Sequence, residues 1–219
     1  MTTATPLALL LAGHEPQGGH EHRDLARMRQ LIETEPDPWL RSSPLHLTAS
    51  ALIVHPAGRR VLLRWHQRQQ AWLQVGGHAD PGERDPLPIA LREAAEETGL
   101  TDLVPWPDAS LAHAVIVSVP PGHGEPAHEH ADLRFVLATG SPEAVRAETA
   151  DAPLRWLTVG QAAQLTSEAN LRESLARLPR LLPPGPAGCG EVRGVVPQDQ
   201  NSAGTWPALP AGGTAGTPE

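Results

Sequence analysis

The sequence predicts an α/β protein built on a mixed β-sheet. Three observations carry this. Segments with strand character and segments with helical periodicity alternate irregularly between residues 46 and 182, which disfavours a doubly wound parallel sheet. The chain shows no internal repeat, and its 219 residues suit one ordinary domain with extensions. Its 20 glycines and 24 prolines crowd toward the C-terminus, so the tail falls outside that domain.

The elements follow in order. Leu25, Met28, Leu31 and Ile32 recur at helical spacing, predicting a helix over residues 22–35 that Pro36 and Pro38 stop. Residues 46–55 read as a strand, Ala57 and Gly58 as a turn, and residues 61–66 as the paired strand. Residues 72–75 form a short strand running into Gly76 and Gly77. A helix is predicted over 87–98, with Gly99 as its stop. Strands at 113–119 and 131–138 flank the loop 120–126, and 154–157 is the last strand. Leu165, Leu171, Leu175, Leu178 and Leu182 give residues 160–182 an apolar helical stripe. From Pro183 to Glu219, 15 of 37 residues are Gly or Pro, too few apolar side chains remain to offset ordering entropy, and a disordered tail is expected. The organisation is therefore an N-terminal extension with a helix (1–44), a catalytic or binding domain (45–182) and the tail (183–219).

Composition excludes several functions. The net charge of −8 argues against binding a nucleic acid polymer through bulk basic charge. The single cysteine, Cys189, cannot form an internal disulfide and reads as a free thiol in the tail. No apolar run approaches the ~18 residues of a membrane helix. The run from Leu7 to Ala12 has no basic residue before it, unlike a secretory signal. A soluble, cytoplasmic protein is expected. All 17 cationic residues are arginine, so a lysine-bearing phosphate loop is impossible.

The informative stretch is Gly76 to Leu100. On its helix Glu93, Glu96 and Glu97 stand at i, i+3 and i+4 and form one carboxylate ridge, while Leu87, Leu91, Ala94 and Thr98 point toward the core. Three carboxylates on one face repel each other unless a cation compensates, and a hard divalent ion favours oxygen ligands. The competing reading is a solvated acidic face. Asp85 and Pro86 suit an N-cap and first helical position, and Gly76-Gly77 leaves a bare backbone beside the ridge.

Gly77, Glu83, Arg92, Glu93, Ala94, Glu96, Glu97, Gly99 and Leu100 together resemble the signature of the Nudix hydrolase superfamily. That signature runs Gly, five residues, Glu, seven residues, then Arg-Glu-apolar-x-Glu-Glu-x-Gly-apolar. This chain has eight residues between Glu83 and Arg92, the extra one falling in 84–88. The resemblance extends over residues 46–158, roughly half the chain. It implies a Nudix-like α/β/α sandwich and hydrolysis of a diphosphate linked to another moiety, usually a nucleoside diphosphate derivative. Mg²⁺ or Mn²⁺ would be held by Glu93, Glu96, Glu97 and the Gly77 carbonyl, with Arg92 holding a glutamate in place by a charge-assisted bond. The resemblance allows a homodimer. The general base is not fixed; members of the superfamily often recruit an acid from outside the box, and Glu125, Glu129, Asp132 and Glu148 are the candidates here.

Substrate contacts are expected from His78, Arg64, Gln74 and Glu83, with Trp65 and His66 on the same strands. Trp72 and Trp156 suit either core packing or stacking on a base. His128 and His130 share a strand face with Asp132 and Arg134. That pair reads as solvent-exposed or as the lining of a substrate cleft; zinc is a third reading, but no second pair stands at finger-like spacing. His14, His20 and His22 are expected at the surface. The alternative function is a Nudix-fold nucleotide-binding or regulatory module without hydrolysis. An isoprenyl diphosphate isomerase would want a cysteine near the site, which Cys189 does not offer.

Overall fold

The computed structural model describes residues 5–122 and 124–184. In chain order these form α1 (Pro6–Gly13), α2 (Gly19–Thr34), β1 (Leu45–His55), β2 (Arg60–His66), β3 (Ala71–Leu73), β4 (Val75–Gly77) and α3 (Pro86–Thr98). β5 (Val104–Pro105), β6 (His113–Val119), β7 (His128–Ala138), β8 (Leu154–Thr158), α4 (Val159–Leu165) and α5 (Ala169–Leu181) complete them.

The strands make one sheet ordered β3-β2-β1-β7-β5, with β4 also on β1, β6 on β7 and β8 on β2. β1 and β7 run parallel over ten residue pairs, from Leu45 opposite Glu129 to Val54 opposite Ala138. The other pairings are antiparallel, so the sheet is mixed, as expected. Alternation along β1 and β7 sends successive side chains to opposite faces. On one face Leu47, Ala49, Leu133 and Phe135 pack against Leu11 of α1, Leu25 and Met28 of α2, and Ile89 of α3. On the other, Leu52, Val54, Val136 and Ala138 pack against Ala162 of α4 and Leu171, Leu175 and Leu178 of α5. Helices cover both faces, giving the α/β/α sandwich.

Several boundaries differ from expectation. The N-terminal extension holds two helices. Residues 7–12 are apolar on every side, so α1 has no periodic stripe to reveal it; Thr5 caps it, and Leu7 and Leu11 are buried. The helical region expected over 160–182 is two helices, because the chain turns extended at Thr166, whose carbonyl accepts from Arg172. β7 starts three residues early, where Glu129 pairs with Leu45. The expected tail and Cys189 lie outside the described residues, apart from residues 183 and 184. No helix of the described residues is long and apolar enough to cross a membrane.

One buried pair ties the two ends of the fold together. The Glu21 carboxylate on α2 accepts from Arg177 of α5 at 3.0 and 2.8 Å, from the Ala114 N–H at 3.0 Å, and pairs with His14 at 2.8 Å. Burial pushes this carboxyl up, but those donors outweigh it and hold it well below the usual range. His20 and His22 are exposed as expected; His14 is not, because its ring serves Glu21.

Candidate active site

β4 ends at Gly77 and a loop leads to α3. Asp85 caps the helix by accepting from the Leu87 N–H at 3.3 Å, Pro86 takes the first turn, and Gly99 ends it in the left-handed conformation at φ 67°. The extra residue falls at 84–88, where the chain passes from the loop into the first turn of α3. The helical spacing beyond it is undisturbed. Ile89, Ala90, Ala94 and Thr98 form the buried seam, and Leu87 and Leu91, expected to face the core, are half-buried and pack against it. The small residues at 90 and 94 let α3 lie close against the sheet, which turns the carboxylate ridge toward β4.

Arg92 is the hub of the ridge. Its guanidinium donates to Glu83 at 3.1 and 2.9 Å, to Glu93 at 2.9 Å, to Glu96 at 3.1 Å and to the His78 carbonyl at 2.9 Å. The bidentate bond to Glu83 survives the lengthened spacing. Glu96 is exposed, while Glu93 and Glu97 are largely buried. Glu97 accepts from the Gly76 N–H at 3.1 Å and pairs with Arg64 at 3.2 Å.

The two glycines meet different neighbours. A Cβ on Gly77 would lie 2.6 Å from a Glu93 carboxylate oxygen, so only glycine lets the β4 backbone approach that carboxyl. A Cβ on Gly76, at φ 140°, would lie 2.5 Å from Ser50 Cα. The ridge beside this backbone is short of positive charge. Burial raises the Glu93 carboxyl despite Arg92, and takes Glu97 up to about 7 despite Arg64 and the Gly76 N–H. An all-oxygen donor set with an unmet demand for positive charge fits a hard divalent cation.

The other expected residues are placed as follows. Arg64 bridges Glu97 and Glu148, the latter at 3.2 Å. Among the four acids outside the box, Glu148 alone shares a cation with the ridge. Glu125 pairs with Arg41 and Arg68, and Glu129 with Arg27. Asp132 is buried and accepts from Thr48, Ser50, Arg134 and Gln74. Gln74 Oε1 and Arg64 Nε are buried without a protein partner. Trp72 packs against the second core with Trp65 at 5.7 Å and Arg155 over its ring, and Trp156 donates to the Pro142 carbonyl.

The face of β7 that reads as polar in the sequence is not simply exposed. Arg134 is fully buried against Asp132, Asn170 and Ser174, because α5 covers it. His130 and His128 are half-buried and meet His46 and His78. Burial pushes His78 down to about 4 and His130 to about 3, so both rings are neutral at pH 7. His46, on β1, was not among the expected site residues; an alternating polar face of β1 (His46, Thr48, Ser50) was its only signal.

The sandwich and the glutamate ridge beside a glycine strand define a Nudix-type domain. The NUDIX domain pattern matches residues 44–178, and the chain belongs to that family, whose members are hydrolases acting on phosphorus anhydrides. Similar solved structures include a C. elegans Ap4A hydrolase binary complex (20% identity, 61% of this chain and 95% of that one, TM-score 0.48). They also include the E. coli dihydroneopterin triphosphate pyrophosphohydrolase (20% identity, 62% and 94%, TM-score 0.47) and a NUDIX-family hydrolase from Clostridium perfringens (26% identity, 62% and 97%, TM-score 0.47). No curated protein sequence matches the chain.

Proposed function

We propose that this protein hydrolyses a diphosphate linkage in a nucleoside diphosphate derivative with Mg²⁺ or Mn²⁺. The observation that supports this most is the closeness of the Gly77 backbone to Glu93, beside a Glu97 whose burial leaves it in need of a cation. Glu93, Glu96, Glu97 and the Gly77 carbonyl would hold the ion. When bound, it supplies positive charge to the phosphate oxygens and acidifies a neighbouring water. Arg92 fixes Glu83, Glu93 and Glu96 in one arrangement before substrate arrives, so little reorganisation is needed during reaction. Arg64 keeps Glu97 and Glu148 together, and Glu148, half exposed at the rim, is the acid we assign to accept the proton of the attacking water. Arg64 of β2 and Gln74, just before β4, are the side chains we assign to substrate contact; the His78 ring meets His46 and His130 instead, and Glu83 acts by positioning Arg92.

A screen of nucleoside triphosphates, nucleotide sugars, ADP-ribose, dinucleoside polyphosphates and coenzyme A, each with Mg²⁺ and with Mn²⁺, tests the reading. Release of phosphate or nucleotide from at least one, abolished by EDTA, is expected. Full turnover in excess EDTA refutes the metal requirement, and inactivity on all of them favours a nucleotide-binding module.

A further inference from the structure

Four histidine rings converge where β1, the end of β4 and β7 meet. His46 comes from β1, His78 directly follows β4, and His128 and His130 come from β7. The parallel register sets His46 opposite His130. One ring nitrogen each from His46, His78 and His130 lies within 4.8 Å of the other two. Two Nε2–Nε2 separations, His46 to His78 and His128 to His130, are 3.1 Å. We propose that His46, His78 and His130, with His128 adjoining as a fourth, form a site for one Zn²⁺ ion separate from the ridge.

Ring orientation supports this. His46 Nδ1 lies 2.8 Å from the Ser43 carbonyl, and His128 Nδ1 lies 2.9 Å from the Pro126 carbonyl. A carbonyl only accepts, so each Nδ1 carries the proton and each Nε2 turns a lone pair inward. Zinc-ligating histidines are held by this kind of outer bond. Zinc–nitrogen bonds of about 2.0–2.1 Å at tetrahedral angles place ligand nitrogens about 3.3 Å apart, close to the separations present. Among the described residues no carboxylate belongs to the cluster; of the nearby acids, Glu125 is engaged by Arg41 and Arg68, and Asp132 by Arg134. An all-imidazole set suits Zn²⁺ and not Mg²⁺, whereas the ridge offers oxygen alone. The two sites would therefore load different ions. They adjoin along the chain: His78 gives its ring to the cluster and its carbonyl to Arg92, and Gly77 lies against Glu93.

The test uses the full chain stripped with EDTA and titrated with Zn²⁺ against a chromophoric chelator, then with Co²⁺ to read coordination from its visible spectrum. One tight equivalent of Zn²⁺ is expected, and a Co²⁺ spectrum of the intense tetrahedral type. His130→Gln and His78→Gln, checked for native melting, should each weaken Zn²⁺ at least ~100-fold, beyond the ~10–100-fold typical of a lost outer-shell partner. Glu93→Gln and Glu97→Gln should leave Zn²⁺ affinity unchanged. Absence of a tight equivalent in the folded chain overturns the site. So does an affinity that falls in the glutamate variants and holds in the histidine variants.

Discussion

Gly76 and Gly77 are neighbours, yet the same substitution should break different things at each. An alanine Cβ at position 77 would stand 2.6 Å from one Glu93 oxygen, 2.9 Å from the other and 2.8 Å from Cδ, against an ordinary contact distance of 3.4 Å. The obstacle is the far end of a flexible side chain, so the carboxyl retreats by about 0.8 Å and the fold absorbs the change. A displacement near 1 Å in a positioned group costs about 100-fold in rate, or ~2.7 kcal/mol of barrier. At position 76 the obstacles are Ser50 Cα at 2.5 Å and the Ala49 carbonyl at 2.6 Å, both backbone of β1, and φ is 140°. Neither can swing away. Overpacking and the disfavoured φ together should cost about 2–5 kcal/mol, lowering Tm by roughly 5–15 °C. The assay pairs kcat on whichever diphosphate the wild type hydrolyses with thermal unfolding of both variants. Gly77→Ala should lose about 100-fold in kcat with Tm within ~3 °C, and Gly76→Ala should lose stability. Wild-type kcat in Gly77→Ala, or a wild-type Tm in Gly76→Ala, refutes the placement of the backbone between the ridge and β1.

Glu97→Gln keeps the shape of a largely buried side chain and removes its charge, so turnover should fall at least ~100-fold while urea unfolding at pH 7 changes little; turnover within 5-fold of wild type, on the order of one weak contact, counts against the ridge. Arg177→Ala strands the Glu21 carboxylate in the core and should cost about 3–5 kcal/mol by urea unfolding, with Glu21→Gln recovering part of the loss; a cost under ~1 kcal/mol would show the pair to be dispensable. His113 is buried and bonded to Ser174, and burial, with Arg177 and Arg134 nearby and Glu21 and Asp132 opposing them, lowers it to about 3. The unfolded chain then binds a proton below ~6.5 that the folded chain refuses until about 3, so stability falls as pH drops through that window, by at most ~1.4 kcal/mol per pH unit. In denaturant titrations between pH 6.5 and 4, His113→Asn should flatten this slope by about one proton, and an unchanged slope would place the titration elsewhere.

The ridge was legible because a helix repeats every 3.6 residues and its ends carry Asp85-Pro86 and Gly99. Short-range chemistry fixes all of that. The parallel pairing of β1 with β7 was not, since nothing local to His46 names a strand that begins 82 residues later. That pairing assembles the histidine cluster and satisfies Asp132. The alternation along β7 correctly grouped His128, His130, Asp132 and Arg134, but polarity suggested water where α5 lies instead. For α1, uniform apolarity left no side to the helix, and only the Thr5-Pro6 cap marked its start. The break before α5 had a local signal in the Thr166-Ser167 pair, outweighed by the leucine stripe on either side.

The Glu21–Arg177 pair also bears on how the chain is made. Glu21 leaves the ribosome 156 residues before its partner. At roughly 5–20 residues per second, that is a wait of about 8–30 s. Through that interval the carboxylate has no guanidinium to accompany it into an apolar interior. The first two helices therefore have reason to stay loosely docked until α5 emerges and closes the fold from its far end.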